Sequence, residues 1–358
     1  MSELERILVP PGKKGHVSVA HLSRYWYVAC LSSELGSRPI ARTVLGTPMA
    51  LFRIDGRAAA LLDRCAHRNL PLSQGRVTSD GFLTCRYHGW QYDGSGLCRL
   101  VPGLLDRTSD RERRVLSFPV REQQGLVWVY ASADAEPDRE PFALPLTSEP
   151  GYATVLRRVE AHATLHAVLE NALDVPHTGY LHRGLFRGGG KHSITAVVRR
   201  SADRVETEYL GEPRPSGVAA RLLSPRGGPV QHWDRFILPS VAQVEYRLGD
   251  DAHFLVTSAC TPVTDFRTRL FAVVSFRTRI PARLVKPVLE PIALRIFGQD
   301  AAILRAQSRN IRRFGGEQFM STELDLMGPH IWRLLRHAER GEVPPSQKID
   351  EQRVTFMA

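Results

Sequence analysis

Two short segments of the chain bring cysteine and histidine together at close spacing. Cys65 and His67 form a C-x-H pair, and Cys85 and His88 form a C-x-x-H pair further along. Thiolates hold iron in iron–sulfur clusters, and a two-iron, two-sulfur centre can take two cysteines and two histidines. The same residues build structural zinc sites, but zinc motifs usually repeat C-x-x-C or H-x-x-x-H instead of mixing both residues within each loop. The pattern therefore favours an iron–sulfur cluster over zinc.

A second group of metal-binding residue types occurs in the segment ENALDVPHTGYLH, residues 170–182. Asp174, His177 and His182 follow one another in it as D-x-x-H-x-x-x-x-H. Two imidazoles and one carboxylate on one face of iron form the facial triad of non-haem Fe(II) oxygenases. A step of five residues turns a regular helix by about 500°, so the two imidazoles would diverge by about 140°. We expect a break between them, which Pro176 and Gly179 permit.

Both groups resemble the same protein family. The cluster segments read CAHRNLPLSQG and CRYHGW. With residues 170–182 they resemble the terminal oxygenase α subunits of the Rieske non-haem iron aromatic-ring-hydroxylating oxygenases. The resemblance implies a Rieske-type 2Fe-2S cluster and one mononuclear Fe(II). It assigns the cluster to Cys65, His67, Cys85 and His88, and the mononuclear iron to His177 and His182.

The resemblance also gives Asp174 a role. In the family this Asp is not an iron ligand but bridges the mononuclear site to a Rieske histidine of a neighbouring subunit, for which His88 is the expected partner. The third iron ligand comes from a late helix, and Asp300 is our choice. Asp300 shares a helical face with Ile303 and Leu304, which would bury its carboxylate where an unpaired charge is costly without a metal.

Other polar residues compete for these roles. Asp265, in a turn between strands, and Glu290, between two prolines, are the alternatives to Asp300. His162, His166 and Glu170 recur at steps of four residues and could chelate a metal from one helix face, although we interpret them as polar residues on a helix edge. Two further residues carry no assigned role, Asn171 and Cys98, the latter expected to be a small buried thiol.

Composition and charge set limits for the whole chain. The 358 residues are 43% hydrophobic and 24% charged, as in ordinary globular proteins, and are enough for two domains. The net charge of +11 is spread without a dense basic block, so nucleic-acid binding is not indicated. The start MSELERILVPPGKKG lacks a secretory apolar stretch, and no run of about 18 apolar residues indicates an integral membrane segment. Three cysteines outside the cluster argue against a disulfide framework, so we expect a cytoplasmic enzyme.

The predicted fold class is α+β. Residues 41–135 read as short strands and turns of an all-β Rieske domain, with Asp55-Gly56 as a hairpin signal. They follow an N-terminal segment, 1–40, that packs on either domain. Residues 136–358 are predicted to form a catalytic domain of antiparallel sheet and helices, helix-grip or START-like by resemblance.

Periodicity locates the main elements of that second domain. Apolar residues at helical spacing predict helices near 163–173, 283–309 and 331–340. Alternating residues predict half-buried strands near 204–209 and 243–248, with Val244 and Tyr246 facing inward and Glu245 facing solvent. The strands, together with the loop from Gly211 to Val230, are expected to line or cover the substrate pocket.

These features predict a terminal oxygenase. No dinucleotide fingerprint such as G-x-G-x-x-G occurs, so electrons must come from a separate NAD(P)H-dependent reductase, directly or through a ferredoxin. Head-to-tail packing in the family implies a homotrimer. The loop YDGSGLCRLVPG, residues 92–103, resembles monooxygenases and O- or N-demethylases. We expect monooxygenation of an apolar or aromatic small molecule. The alternatives are ring cis-dihydroxylation, steroid-type hydroxylation, or a Rieske electron carrier whose second domain is not catalytic.

Overall fold

The computed structural model describes residues 16–104, 113–182, 192–214, 228–342 and 350–357. The chain divides into two compact units. The N-terminal unit comprises His21–Leu144 and Thr261–Thr264, and the C-terminal unit comprises the remainder. The expectations for the N-terminal 15 residues and for most of the loop from Gly211 to Val230 fall outside the described residues.

The N-terminal unit consists of three small antiparallel sheets. A three-stranded sheet contains, in order, β1 (Trp26–Leu31), β11 (Leu126–Tyr130) and β10 (Val120–Gln123). A four-stranded sheet contains β2 (Ile40–Val44), β3 (Thr47–Ile54), β4 (Arg57–Leu62) and β9 (Ser117–Phe118). A second four-stranded sheet contains β5 (Arg76–Val77), β6 (Leu83–Thr84), β7 (Gln91–Tyr92) and β8 (Cys98–Leu100).

Tight turns set the register of these hairpins. The predicted turn at Asp55-Gly56 has φ values of 48° and 77°, and Leu45-Gly46 has values of 49° and 76°. Positive φ at both central residues gives the type I′ twist that matches a pair of twisted strands. A buried cluster under the second four-stranded sheet, including Phe52, Leu72 and Leu83, then fixes the loops above it.

The C-terminal unit is built on one eight-stranded sheet. Its strands are, in order, β12 (Ala153–Ala161), β18 (Arg267–Thr278), β17 (Ala252–Thr264), β16 (Val241–Leu248), β15 (Val230–Ile237), β14 (Arg204–Leu210), β13 (Ser193–Arg200) and β19 (Asp350–Met357). The sequence did not predict β19, which adds to the edge of the sheet by pairing antiparallel with β13. The α+β class and the antiparallel C-terminal sheet are confirmed.

Within the described residues, four helices accompany this sheet: α1 (Leu165–Ala172), α2 (Val175–Leu181), α3 (Ala282–Arg313) and α4 (Gly328–Glu339). The Thr164 hydroxyl caps α1 by accepting a hydrogen bond from the backbone of Ala167 at 3.2 Å. The helix α1 packs against β16, β18 and α4. None of the helices in the described part of the chain has the length and apolar character needed to span a bilayer.

One expectation about β16 was wrong. Glu245, predicted to face solvent, is only 7% exposed, whereas Val244 and Tyr246 are partly exposed. The carboxylate lies 2.6 Å from Nη1 of Arg235 and 3.0 Å from Nε2 of His253. A buried carboxylate with such partners is tolerated, which an alternation rule based on polarity alone does not anticipate.

Candidate metal centres

The two loops that carry the cysteine–histidine pairs have the same local geometry. The backbone N–H of Asn69 donates to the carbonyl of Cys65 at 3.0 Å, and that of Gly89 donates to the carbonyl of Cys85 at 3.0 Å. Asn69 and Gly89 both have positive φ, 58° and 71°. This conformation suits glycine and is tolerated by asparagine, so each loop doubles back tightly after its cysteine.

The turns gather the four predicted cluster ligands. Cys65 and Cys85 are 1% and 2% exposed, and the ring centroids of His67 and His88 lie 4.4 Å apart. His67 stacks on Trp90 at 4.9 Å with an interplanar angle of 2°, while His88 is exposed. The buried Nδ1 of His67 has no hydrogen-bond partner among the described residues. Two buried sulfurs and two adjacent imidazoles fit the ligand set of a Rieske-type 2Fe-2S cluster.

The sequence analysis missed a residue that contacts one of these sulfurs. The hydroxyl of Tyr92 lies 3.2 Å from Sγ of Cys65 and accepts a hydrogen bond from the backbone N–H of Ala66 at 3.2 Å. Burial is the main cause that raises the pKa of Tyr92 well above its usual value. The neutral hydroxyl is therefore placed to donate to a ligand thiolate. Its position in CRYHGWQY, seven residues after Cys85, was the only available signal.

The second predicted group also converges in space. Nε2 of His177 lies 3.3 Å from Nε2 of His182, and Oδ1 of Asp300 lies 3.5 Å and 3.1 Å from these two nitrogens. The possible ligand atoms of these three residues all lie within 4.8 Å of one another. No other group of three or more described residues meets that distance. Oδ1 of Asp300 is buried and, within the described residues, makes no hydrogen bond of normal geometry. Two imidazoles and a carboxylate that meet at one point fit a mononuclear Fe(II) site.

The helix ends between the two histidines, as expected, but not at Pro176 or Gly179. The helix α1 ends at Ala172, and Asp174 stands at the N-terminal cap of α2. Pro176 is in the first turn of α2, where a missing N–H costs nothing, and Gly179 lies inside the helix. His182 has left helical geometry, with φ −106° and ψ 37°. The two imidazoles therefore meet because His182 follows the end of α2, and not because of a break at Pro176 or Gly179.

Asp174 lies beside the group without joining it. Its Oδ2 is 3.3 Å from Nδ1 of His177, on the ring side opposite the nitrogen that faces Asp300. Burial alone would lower the pKa of His177, but the nearby carboxylates of Asp174 and Asp300 raise that pKa to about 9. Two carboxylates around these imidazoles leave an excess of negative charge that a cation would compensate.

Gln299 is the second contact that the sequence analysis missed. Its Oε1 lies 2.9 Å from Nδ1 of His182, so the ring can donate from Nδ1 while Nε2 points to the metal position. Ligand histidines commonly donate their other N–H in this way. Gln299 directly precedes Asp300, but a glutamine at this place has no motif that would have identified it.

The competing residues lie elsewhere. His166 is buried and donates from Nε2 to the carbonyl of Gly328 at 2.9 Å, while His162 is exposed. Asp265 is exposed in the turn between β17 and β18, and Glu290 pairs with Nε of Arg157 at 2.9 Å. Neither the stripe around His166 nor these two carboxylates join the group at Asp300. Asn171 lies half-buried in α1, and Cys98 is 5% exposed, with its thiol 3.6 Å from the carbonyl of Leu100.

Comparisons with known proteins agree with this geometry. The model of the Rieske [2Fe-2S] domain matches residues 25–110, and the model of the vanillate O-demethylase oxygenase C-terminal domain matches residues 161–340. The chain is 40% identical over 226 residues to the oxygenase component of dicamba O-demethylase from Stenotrophomonas maltophilia, which is 58% of this chain and 62% of that protein. It is 35% identical over 226 residues to 4beta-methylsterol monooxygenase from Methylococcus capsulatus, 61% of this chain and 59% of that protein.

These two alignments span less than two thirds of each relative's length. A solved structure extends the similarity. Dicamba monooxygenase bound to 3,6-dichlorosalicylic acid superposes with a TM-score of 0.75 at 26% identity, covering 90% of this chain and 98% of that one. With both of its metal-binding segments inside matched domains, the chain belongs to the Rieske oxygenases that carry a vanillate O-demethylase-type C-terminal domain.

Proposed function

We propose that the protein is the terminal oxygenase component of a system that takes electrons from a separate NAD(P)H-dependent reductase and monooxygenates an apolar or aromatic small molecule. The observation that carries the proposal is the convergence of His177, His182 and Asp300 in a chain that also holds the cysteine–histidine loops. An electron carrier has no use for a second, open metal site.

The proposal gives each residue group one task. The N-terminal loops hold the 2Fe-2S cluster through Cys65, His67, Cys85 and His88, and the C-terminal unit holds Fe(II) through His177, His182 and Asp300. Cluster and iron together supply electrons and a site for O2 activation. The carboxylate of Asp174 lies 3.3 Å from Nδ1 of His177, and Gln299 accepts a hydrogen bond from Nδ1 of His182, so the two ligand rings are oriented from behind.

The assembly and the electron path extend beyond one chain. We propose a homotrimer in which Asp174 meets His88 of a neighbouring subunit, and His88 is exposed beside Tyr87, which is itself 63% exposed. The donor is a reductase, with or without a ferredoxin between them. A cytoplasmic location rests on the sequence argument alone.

The overall reaction balances as a monooxygenation. One atom of O2 enters a C–H bond of the substrate, and the other leaves as water with two electrons and two protons from the donor. When the C–H bond belongs to an O- or N-methyl group, the product is unstable and releases formaldehyde together with the demethylated compound. The printed names of the relatives, a demethylase component and a methylsterol monooxygenase, favour this outcome over ring cis-dihydroxylation. A steroid-type hydroxylation stays within the same proposal as a second candidate, because the methylsterol relative carries that chemistry in its name.

Iron content and coupled oxygen uptake test the proposal. The purified brown protein is expected to contain about three irons per chain, two in the cluster and one mononuclear. With NADH and a surrogate reductase, a panel of aromatic, steroid and methylated compounds should include one that stimulates O2 uptake and yields an equal amount of hydroxylated or demethylated product. Two irons per chain and no product-coupled uptake would show an electron carrier instead.

A further inference from the structure

A cavity of about 280 Å³ opens at one edge of the eight-stranded sheet, where the ends of several strands meet. Its volume is close to the lower bound of about 300 Å³ for pockets that hold small molecules. None of its described lining residues is a proposed metal ligand. The polar side chains that line it are Tyr152, Gln231, Arg247, Asp250, His253 and Arg277.

The cavity lies on the face of the sheet opposite α4. Thr207 marks the α4 face, because its hydroxyl contacts the sulfur of Met327 just before that helix. Thr207 pairs with Asp234, and Asp234 pairs with Val244. Directly paired residues point to the same face, and successive residues along a strand alternate. Arg247, three residues after Val244, therefore points to the other face, away from α4 and from α1, which packs on α4.

A row of contacts connects the two arginines of the cavity. Cζ of Arg277 lies 5.2 Å from the ring centroid of Tyr152, whose hydroxyl is 2.5 Å from Nδ1 of His253. Nε2 of His253 is 3.0 Å from Oε1 of Glu245, and Nη2 of Arg247 is 2.9 Å from the same oxygen. Since a carboxylate can only accept, Nε2 carries the proton, and Nδ1 of the neutral ring accepts from the tyrosine hydroxyl. The row orients both guanidinium groups beside the cavity.

Positive charge exceeds negative charge around this row. Glu245 is buried and ionised: burial alone would raise its pKa, but His253, Arg235 and Arg247 lower it to about 2. Its single negative charge therefore already faces two guanidinium groups. Among the described residues, no carboxylate forms an ion pair with Arg277. The guanidinium of Arg277 is thus a positive charge at the cavity that the protein leaves uncompensated.

The remaining polar lining residues fit the same ligand class. Gln231 is exposed and offers amide N–H donors, whereas Asp250 is an exposed carboxylate in the turn between β16 and β17. The lining therefore presents two guanidinium groups and an amide against one carboxylate that solvent screens. Guanidinium groups bind carboxylates and phosphates through paired N–H donors, so an oxyanion is the group that this lining favours.

We propose that this cavity is a second binding site, for a small molecule that carries a carboxylate or phosphate group held by Arg247 and Arg277. The site is separate from the one at which a substrate would be oxidised, because no proposed metal ligand lines it. Binding at this site therefore requires neither turnover nor the proposed function, and the two can fail independently.

Two simple anions test the proposal. We would titrate the three-iron holoenzyme with inorganic phosphate and with succinate at neutral pH and low salt, and measure binding by calorimetry. At least one of them should bind: phosphate alone identifies a phosphate group as the ligand, and succinate alone identifies a carboxylate. R247Q and R277Q should each weaken this binding about tenfold or more, because each removes charge-assisted hydrogen bonds. D250N should strengthen it, because it removes the opposing charge.

The matched control is R309Q. Arg309 is an exposed residue of α3 that does not line the cavity, so the same change in net charge should leave the affinity unaltered. R247Q also takes a partner from the buried Glu245, and R277Q, at an exposed position without an ion pair, guards against a loss that comes from misfolding. The proposal is overturned if neither anion binds, if R277Q binds as tightly as the unmodified protein, if R309Q weakens binding equally, or if D250N weakens it.

Discussion

Oε1 of Gln299 lies 2.9 Å from Nδ1 of His182, while Nε2 of the same ring lies 3.1 Å from Oδ1 of Asp300. The two contacts use opposite nitrogens of one imidazole. The glutamine therefore fixes the tautomer that leaves Nε2 free for a metal, and it comes from the same helix as the carboxylate ligand.

Replacing Gln299 by leucine removes that hydrogen bond and leaves the three proposed ligands in place. We expect Q299L to lower the affinity for mononuclear Fe(II) about 10- to 100-fold and to leave the cluster intact. Iron analysis after dialysis against a weak chelator, with the cluster followed by its absorbance, measures this. Q307L, two turns further along α3, is the control and should retain three irons. Retention of all three irons by Q299L under the same dialysis would contradict the orienting role.

The contact between Tyr92 and Cys65 leads to a prediction about the reduction potential of the cluster. A hydrogen bond from its hydroxyl to Sγ of Cys65 stabilises the more negative, reduced state. Removing it in Y92F should lower the reduction potential by about 20–60 mV, which corresponds to about 0.5–1.5 kcal/mol for one electron. A redox titration followed by electron paramagnetic resonance measures the shift. Y130F removes a hydroxyl that bonds Asp138 instead and should leave the potential unchanged, whereas an unshifted Y92F would show that the contact does not tune the cluster.

A variant of His166 tests whether this residue stabilises the fold or binds a metal. The buried ring donates to the carbonyl of Gly328 and contacts Trp332 edge-on at 5.5 Å. H166A should lower the free energy of unfolding by about 2–3 kcal/mol because it leaves a cavity and an unsatisfied carbonyl. Urea denaturation measures the loss, and the exposed H162A should change stability by less than about 0.5 kcal/mol. If H166A folds but lacks the mononuclear iron, the metal site lies at His162, His166 and Glu170 instead.

The glycine that accepts this hydrogen bond makes a related prediction. A Cβ at Gly328 would lie 1.9 Å from Oε1 of Glu170. Glu170 lies on α1, which packs against α4, and burial raises the pKa of its carboxyl. G328A should therefore destabilise the C-terminal unit, whereas G298A, whose Cβ would meet nothing within 4 Å, should not. Equal thermal midpoints for the two variants would show that Glu170 moves aside freely.

The ligand residue types of both candidate centres were easier to predict from the sequence than the elements that carry them. Ligand types and spacing are local, so Cys65 to His88 and Asp174 to His182 could be read from one stretch each. The distant residue Asp300 needed the family resemblance, and the structure brings it within 3.1 Å of His182. Tyr92 and Gln299 act through single hydrogen bonds that leave no periodic or compositional signal.

Secondary structure was likewise predicted where it depends on local sequence pattern and missed where it depends on distant contacts. Strong alternation predicted β14, and its inward residues Val205 and Thr207 are buried. The strand β19 was missed because it forms by adding to the sheet edge at β13, a long-range pairing that local pattern does not encode. Glu245 was expected to be exposed but is buried, because its partners Arg235 and His253 come from neighbouring strands.

The position of Asp174 leads to a prediction about electron transfer. It contacts His177 from behind and is not among the three converging ligand residues, so D174N should retain both metals at about three irons per chain. The amide of the variant lacks the negative charge that lies 3.3 Å from Nδ1 of His177, so product formation should fall about 10- to 100-fold or more. Single-turnover experiments locate the defect: a chemically reduced cluster in D174N should be reoxidised slowly in the presence of substrate and O2. D265N removes an exposed carboxylate from a turn and should behave as the unmodified enzyme. Normal turnover by D174N would show that Asp174 is not part of the electron path. Loss of the third iron would show that Asp174 is an iron ligand and not a bridge.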